Sequence, residues 1–408
     1  YGMVLAALTP GNPDTDGDGH IDVSEAREAI REMSPVLAAA FAPLIDKPVL
    51  RRATEIEVGG LETLISAIDR ERIATPDRRG DAWLRFYEDF LAVYDPEERR
   101  EAGVYYTPID AVAAMTSMTG HLLTNRLGMR LGFGDQNVVT LDPATGTGTF
   151  PLAAIDHAAR LAPQVRGPGG VRQAARNMAA NLYAFELLPG PYAVAHLRLS
   201  QRLTQLSGET SHAQVILTDT LEAPDERAIS SIDLFGDQQV LAEEQERANR
   251  VKREQQVTVV IGNPPYRRVA RDVHGRGSGG WVLDGVVEGR ESGKSLFDDI
   301  LDVARANTIF SHHASLYNLY VYFWRWALWK AFESREDGPG VVSFITSSSW
   351  LAGPGFVGLR ELSRQLADEM WVLDLGGDNR GANPEDNIFA IETPVAIVTL
   401  VRDGASDR

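Results

Sequence analysis

The chain has 408 residues, with 40 Lys and Arg against 57 Asp and Glu, a formal net charge of −17. That length suits two or three domains, or one large domain with an appendage. A hydrophobic content of 44% and a charged content of 24% exclude wholesale disorder. No cysteine is present, which excludes disulfides, zinc–thiolate sites, iron–sulfur clusters and cysteine nucleophiles together. The acidic balance argues against coating nucleic acid by bulk charge, while leaving room for a local basic groove.

Tyr1 to Leu8 already reads as a helix, so the chain is expected to be a piece of a longer protein. No charged segment precedes an apolar one in the manner of a leader peptide. The most apolar and aromatic stretch, Leu316 to Trp329, is too short to span a bilayer and carries Arg325 inside it, which predicts a buried helix. A cytoplasmic protein with no membrane contact is the expectation.

Residues 1–101 are predicted to be mostly helical. Apolar residues recur at helical spacing in Ala26–Met33, Val36–Ile45, Leu61–Ile68 and Trp83–Tyr94. Ser34-Pro35 starts one helix and Asp95-Pro96 ends or kinks the last. From about residue 137 short β-rich runs alternate with helical stretches. The predicted strands are Val138–Leu141, Leu182–Phe185, Val215–Leu217, Val257–Ile261, Gly340–Ile345, Trp371–Leu375 and Ala396–Val401. Strands separated by helical patterns predict an α/β fold with a mainly parallel sheet. Arg267–Lys294, rich in Gly, Arg and Asp, reads as a loop.

Four motifs carry chemistry. Asp142-Pro143-Ala144-Thr145-Gly146-Thr147-Gly148 joins a strand to the helix expected at Phe150–Arg160. Gly146 and Gly148 permit a tight turn and close approach of a ligand, and the helix behind them presents free N–H groups. The third glycine of a dinucleotide loop and the Lys of a P-loop are both missing. Glu186 ends the second strand, where a carboxylate can accept both ribose hydroxyl hydrogens. Asp219 follows the third strand; taken alone it fits a turn or helix cap equally well. Last, Val259-Val260-Ile261-Gly262 runs into Asn263-Pro264-Pro265-Tyr266. Two prolines stiffen the backbone and remove two N–H donors. The Asn263 side-chain carbonyl and the Pro264 main-chain carbonyl remain as acceptors for both hydrogens of an amine on a planar ring or amide. Tyr266 adds a flat apolar face.

With Gly103-Val104-Tyr105-Tyr106-Thr107-Pro108 ahead of them, these motifs in this order resemble the gamma-type N6-adenine DNA methyltransferases. The likeness runs from about residue 84 to the end. It is strongest to the methyltransferase region of type ISP restriction-modification enzymes, with the methyltransferases of DISARM-like phage-defence systems as near relatives. The resemblance implies a Rossmann-like seven-stranded sheet whose last strand is antiparallel, in a methyltransferase domain at 102–408. It implies residues 1–101 as a helical coupler, and a piece beginning near residue 100 is then expected to keep cofactor binding. It implies S-adenosylmethionine as cofactor. Thr107 would bind the methionine carboxylate, Asp142 the ammonium, Ala144, Gly146 and Gly148 the cofactor's flank, Glu186 the ribose and Asp219 the adenine amine. Asn263, Pro264 and Pro265 would present the target N6 amine, and Tyr266 would stack on a flipped adenine of duplex DNA. Phe389, in Asn387-Ile388-Phe389, would be a second stacking face or a core residue.

The family's target-recognition domain is not seen after the last strand, and nuclease, helicase or recognition modules are expected in the same or another chain. Methylation of RNA adenine or of a protein glutamine uses the same acceptor tip and stays open, as does a non-catalytic cofactor-gated DNA-binding or scaffold module. Separately, Asp14 to Glu25 matches a calcium loop of the EF-hand type, with Asp14, Asp16, Asp18, His20 and Glu25 as oxygen ligands for Ca²⁺. A solvated acidic turn between helices explains it as well. Arg267, Arg268, Arg271 and Arg276, with His274, follow Tyr266 and form a candidate phosphate-tracking loop.

Overall fold

The computed structural model describes residues 20–31, 34–67, 107–224, 238–268, 279–285, 294–306, 310–334, 338–377 and 393–404, with residues 3, 6, 7, 15, 16, 387 and 389. Seven strands form one sheet: β1 Thr140–Asp142, β2 Leu182–Glu186, β3 Gln214–Leu217, β4 Val259–Gly262, β5 Gly340–Ser347, β6 Glu369–Asp374 and β7 Val395–Arg402. Their order is β3-β2-β1-β4-β5-β7-β6. β7 runs antiparallel to both β5 and β6, and the other pairs are parallel. Every predicted strand is present, displaced at its ends by one or two residues. The strand order reverses between β1 and β4, the place where sheets of this kind open a crevice at their carboxyl ends.

Helices cover both faces of the sheet. Val259, Ile261, Val341 and Ile345 join one core with Phe150, Ile155, Ala195 and Leu199. Val260, Val342 and Phe344 face the other way, into a core with Val251, Ile300, Trp324 and Leu359. Burial on both sides explains why β5 reads as a nearly unbroken apolar run. Helix Pro189–Ser207 starts with Pro at its first turn and ends at Gly208, whose φ of 76° suits only glycine without strain.

The aromatic stretch is a buried helix, Leu319–Leu328, continued by a π-helical turn over Trp329–Glu333. Arg325, fully buried in it, is held by Asp299 (2.6 Å), Glu333 (2.5 Å) and the Leu296 carbonyl (2.9 Å). Such a charge is tolerated because every arm of the fork meets an acceptor. One reading is corrected: inside the expected loop Arg267–Lys294, Gly280–Asp284 forms a short helix that buries Val282 and Leu283. Its apolar triplet Trp281-Val282-Leu283 finds a core, and the Trp281 N–H bonds the Leu221 carbonyl (2.9 Å). Trp83–Tyr94 lies outside the described residues.

The N-terminal helices include Val23–Ile30, Pro35–Ala39, Ala42–Asp46 and Glu55–Ser66. They share a core with the part of the chain that carries the sheet. Ala26, Ile30, Leu37 and Phe41 belong to the same apolar core as Met115, Tyr192 and Ala195. Ser34, the side-chain cap of helix Pro35–Ala39, meets the Tyr192 hydroxyl at 3.0 Å, which donates in turn to Glu244 (3.4 Å). The same Glu244 oxygen accepts the Leu217 N–H at the end of β3 (2.9 Å). A buried polar chain thus joins the N-terminal helices to the sheet. Tyr192→Phe should lower stability by about 1–2 kcal/mol, read from denaturant unfolding, since it strips one partner from two buried groups. An unchanged unfolding midpoint would show that the chain is not a structural tie.

Candidate functional site

Asp142, Glu186, Asp219 and Asn263 stand at or just beyond the carboxyl ends of β1, β2, β3 and β4. Parallel pairing sets these ends side by side: Asp142 lies opposite Ala184, and Glu186 opposite Leu217. Four residues distant in sequence therefore share one edge of the sheet.

The loop after β1 is stitched to β2. Asp142 Oδ1 accepts the Ala144 N–H (3.1 Å), and the Thr145 N–H donates to the Phe185 carbonyl (2.9 Å). Glu186 Oε2 accepts the Gly146 N–H (2.8 Å), while its Oε1 accepts the N–H groups of Leu187 (2.9 Å) and Leu188 (2.8 Å). Gly146 and Gly148 have φ of 56° and 82°, the left-handed region that glycine occupies freely. A Cβ built on Gly146 would meet nothing within 4 Å, so the backbone there faces open space.

Asp142 is 1% exposed and its Oδ2 has no hydrogen-bond partner among the described residues. Burial pushes its carboxyl up to about 8, and the charge of Glu186 adds to the shift. Burial likewise lifts Glu186 to about 7, against the pull of its three N–H donors. Two carboxylates held without a cation make a site suited to a cationic ligand. Gly262 completes this arrangement, and its role was not legible in the sequence: a Cβ there would sit 2.7 Å from Asp142 Oδ1.

Beyond β3, Asp219 Oδ1 accepts the Leu221 N–H (2.9 Å). Fully buried Lys252 braces this turn, and fully buried Lys330 stands behind it. Lys252 Nζ donates to the carbonyls of Asp219 (2.6 Å) and Glu222 (3.2 Å), and Lys330 Nζ donates to the Lys252 carbonyl (2.7 Å). Neither lysine carries a sequence signal beyond its place in a helix.

At the tip of β4, Asn263 Nδ2 donates to Thr107 Oγ1 (3.1 Å). Asn263 Oδ1 is buried and has no partner among the described residues. The Tyr266 ring stacks on Tyr320, with centroids 5.2 Å apart, and Tyr320 stacks on Phe356 at 6.2 Å. The Tyr266 hydroxyl is buried and unpartnered, and burial raises the phenol above its ordinary value. Tyr320 and Phe356 were not anticipated, because only the fold brings them to Tyr266. Phe389 is 6% exposed, packed in the core with Val395 and Ile397, its N–H bonded to Asn387 (2.8 Å).

The structure thus brings Thr107 to Asn263, and Asp142 to Glu186. Arg267 and Arg268 are exposed just after Tyr266; Arg271, His274 and Arg276 lie outside the described residues, as does Gly103–Tyr106. Of the calcium candidates, Asp14 and Asp18 also lie outside them. Glu25 accepts the Thr15 N–H (2.6 Å) and hydroxyl (2.7 Å) and the Asp22 N–H (3.2 Å), and forms a capping box with Asp22. Among the described residues no three His, Asp or Glu side chains come together as a metal site. No described helix is long and apolar enough to cross a membrane.

Two family profiles match the chain: N-6 DNA methylase over residues 78–274 and Eco57I restriction-modification methylase over residues 180–375. Among solved structures, a DrdV–DNA complex is 25% identical, with TM-score 0.64, covering 98% of this chain. A nuclease-deletion mutant of the type ISP restriction-modification enzyme LlaGI, in complex with a DNA substrate mimic, is 20% identical with TM-score 0.69 over 100% of the chain. The ATP-dependent type ISP enzyme LlaBIII bound to DNA is 20% identical with TM-score 0.65 over 98%. The chain spans only 36%, 34% and 27% of those three chains. No curated protein matches it. Both profiles describe DNA methylases, and between them they span residues 78–375.

Both raised carboxyls titrate above the ordinary values of an unfolded chain, so the fold keeps protons that the unfolded chain loses between about pH 4 and about 8. The ligand-free fold therefore loses stability as pH rises through that window. Urea midpoints taken from about pH 5 to about pH 8 should fall for the wild type and fall less for Asp142→Asn. A wild-type midpoint that rises across this range would contradict the buried, cation-free pair.

Proposed function

We propose that the chain is the catalytic core of a site-specific DNA methyltransferase that transfers a methyl group to the N6 amine of adenine. The observation that carries this reading is Asn263 Oδ1, a buried acceptor with no partner beside the glycine loop. The family profiles and the DNA-bound neighbours support it.

The residues present fit S-adenosylmethionine. The unpartnered Asp142 Oδ2 suits an ammonium group, and the open face over Gly146 suits a ligand lying against the backbone. Glu186 keeps lone pairs for ribose hydroxyls, the Asp219 turn is braced to meet a ring amine, and Thr107 offers a hydroxyl to a carboxylate. Leu187, 59% exposed beside Glu186, gives a planar base an apolar face. When bound, S-adenosylmethionine supplies an electrophilic methyl group on a sulfonium sulfur.

The chain's own contribution is positioning. Asn263 Oδ1 and the Pro264 carbonyl accept the two hydrogens of the target amine, which draws its lone pair out of conjugation with the ring and aims it. Pro265 has no N–H to compete for those acceptors. Tyr266, backed by Tyr320 and Phe356, holds the ring of a base rotated out of the duplex; unstacking costs a few kcal/mol, partly offset by this new stacking. Exposed Arg267 and Arg268 meet phosphates nearby, so binding weakens with salt. Recognition, nuclease or helicase modules are supplied by other parts of the system. Calcium at residues 14–25 is supported by the spacing of oxygen residues alone, and no step of the transfer uses it.

The test is methyl-labelled S-adenosylmethionine offered to duplex DNA, RNA and cell protein together by the intact protein, with nucleosides and residues analysed. Label in N6-methyladenine of DNA is expected, with at least about a 10²-fold loss in Asn263→Ala and cofactor affinity little changed. Label in cytosine, RNA or protein glutamine would overturn the substrate assignment. An Asn263→Ala protein that keeps every function would favour a non-catalytic module.

A further inference from the structure

The geometry points to Thr107 as the residue that fixes which way the Asn263 amide faces, with its hydroxyl acting as acceptor. This rests on the reading of Asn263 given above. An Asn side chain carries a carbonyl and an NH2 of nearly the same shape, and only one orientation serves an incoming amine. Turned the other way, Asn263 would present N–H to N–H and repel its substrate. The two prolines that follow offer no N–H with which to hold Oδ1. What holds the amide is the bond from Nδ2 to Thr107 Oγ1 at 3.1 Å, which leaves Oδ1 buried and unpartnered.

Among the described residues the Thr107 hydroxyl has no bond besides that with Asn263. Helix Ile109–Asn125 begins after Pro108, has no side-chain cap, and closes its first turn on the Pro108 carbonyl through Ala111 (3.0 Å) and Val112 (3.1 Å). A hydroxyl, however, both donates and accepts. Donating to Asn263, it would capture Oδ1 and turn the NH2 toward the amine site. A ligand carboxylate that takes the hydroxyl hydrogen removes that option and leaves only lone pairs facing Asn263. The carboxylate end of the cofactor and the amide that holds the target amine are thereby linked through one oxygen atom. Thr107 is a positioning residue, and an occupied cofactor site locks the acceptor orientation that it already favours.

A double-mutant cycle tests this in the intact protein. Thr107→Val removes the hydroxyl at constant shape; Thr107→Ala serves equally if the valine variant melts early. Asn263→Asp supplies two equivalent acceptor oxygens, so orientation ceases to matter. At saturating cofactor, Thr107→Val should lower kcat by about 10²-fold, and Thr107→Ser should restore most of it. On the Asn263→Asp background the same change should cost less than about threefold, a strong non-additivity. A second readout needs no turnover. With S-adenosylhomocysteine bound, the wild type should prefer its substrate over the same substrate lacking the exocyclic amine, and Thr107→Val should lose that preference. Equal losses on both backgrounds, or a weaker cofactor affinity with unchanged kcat, would overturn the proposal and leave Thr107 as a carboxylate ligand only. If the labelled product proves to be RNA or protein, the adenine-in-DNA reading fails, and the same cycle run on that acceptor amine still decides the role of Thr107.

Discussion

A carboxylate buried without a counter-charge at the end of the first strand organises this molecule. Asp142 has one oxygen tied to the following turn and one with no partner, and burial lifts its titration to about 8. The surroundings are built to keep it so. Gly262 leaves the room that a side chain would take, and Glu186 grips the glycine loop so that the space over Gly146 stays open. A fold that keeps an uncompensated acid in its interior sacrifices stability at neutral pH and gains a place where a cation is worth a great deal.

The sheet makes this possible. Parallel strands deliver four chemically loaded residues to one edge, and the reversal of strand order between β1 and β4 opens that edge. Behind it, buried cations carry structural load. Lys252 holds the Asp219 turn through carbonyl oxygens and Lys330 holds Lys252, while Arg325 ties the helix that backs Tyr266 to Leu296, Asp299 and Glu333. The N-terminal helices enter the same core through Ser34, Tyr192 and Glu244, so their packing reaches the helix that follows Glu186.

Much of this was legible in the sequence, and for identifiable reasons. The strands read as short apolar runs between helical patterns, and all seven were found in place. Asp142, Glu186, Asp219 and Asn263 were recognisable because each directly follows such a run, so position along the chain was enough to place them at one edge. What stayed hidden depends on contacts between distant segments. Nothing in a glycine before Asn-Pro-Pro-Tyr reveals a carboxylate 120 residues earlier. Thr107 with Asn263, Tyr320 with Tyr266, and Lys252 with Asp219 are likewise pairs that only packing creates. The Gly280–Asp284 helix was lost in a glycine-rich stretch because its three apolar residues are too few to show a period.

In the proposed reading, the raised carboxyl of Asp142 is held for a cationic group. Calorimetry of S-adenosylhomocysteine binding near pH 7, repeated in buffers of different ionisation enthalpy, measures the protons exchanged. Release by the wild type should exceed release by Asp142→Asn by close to about one proton, because an ammonium group forces this carboxyl to ionise while Glu186 contributes alike in both proteins. Binding with no proton release by the wild type, or with equal release by both proteins, would contradict it.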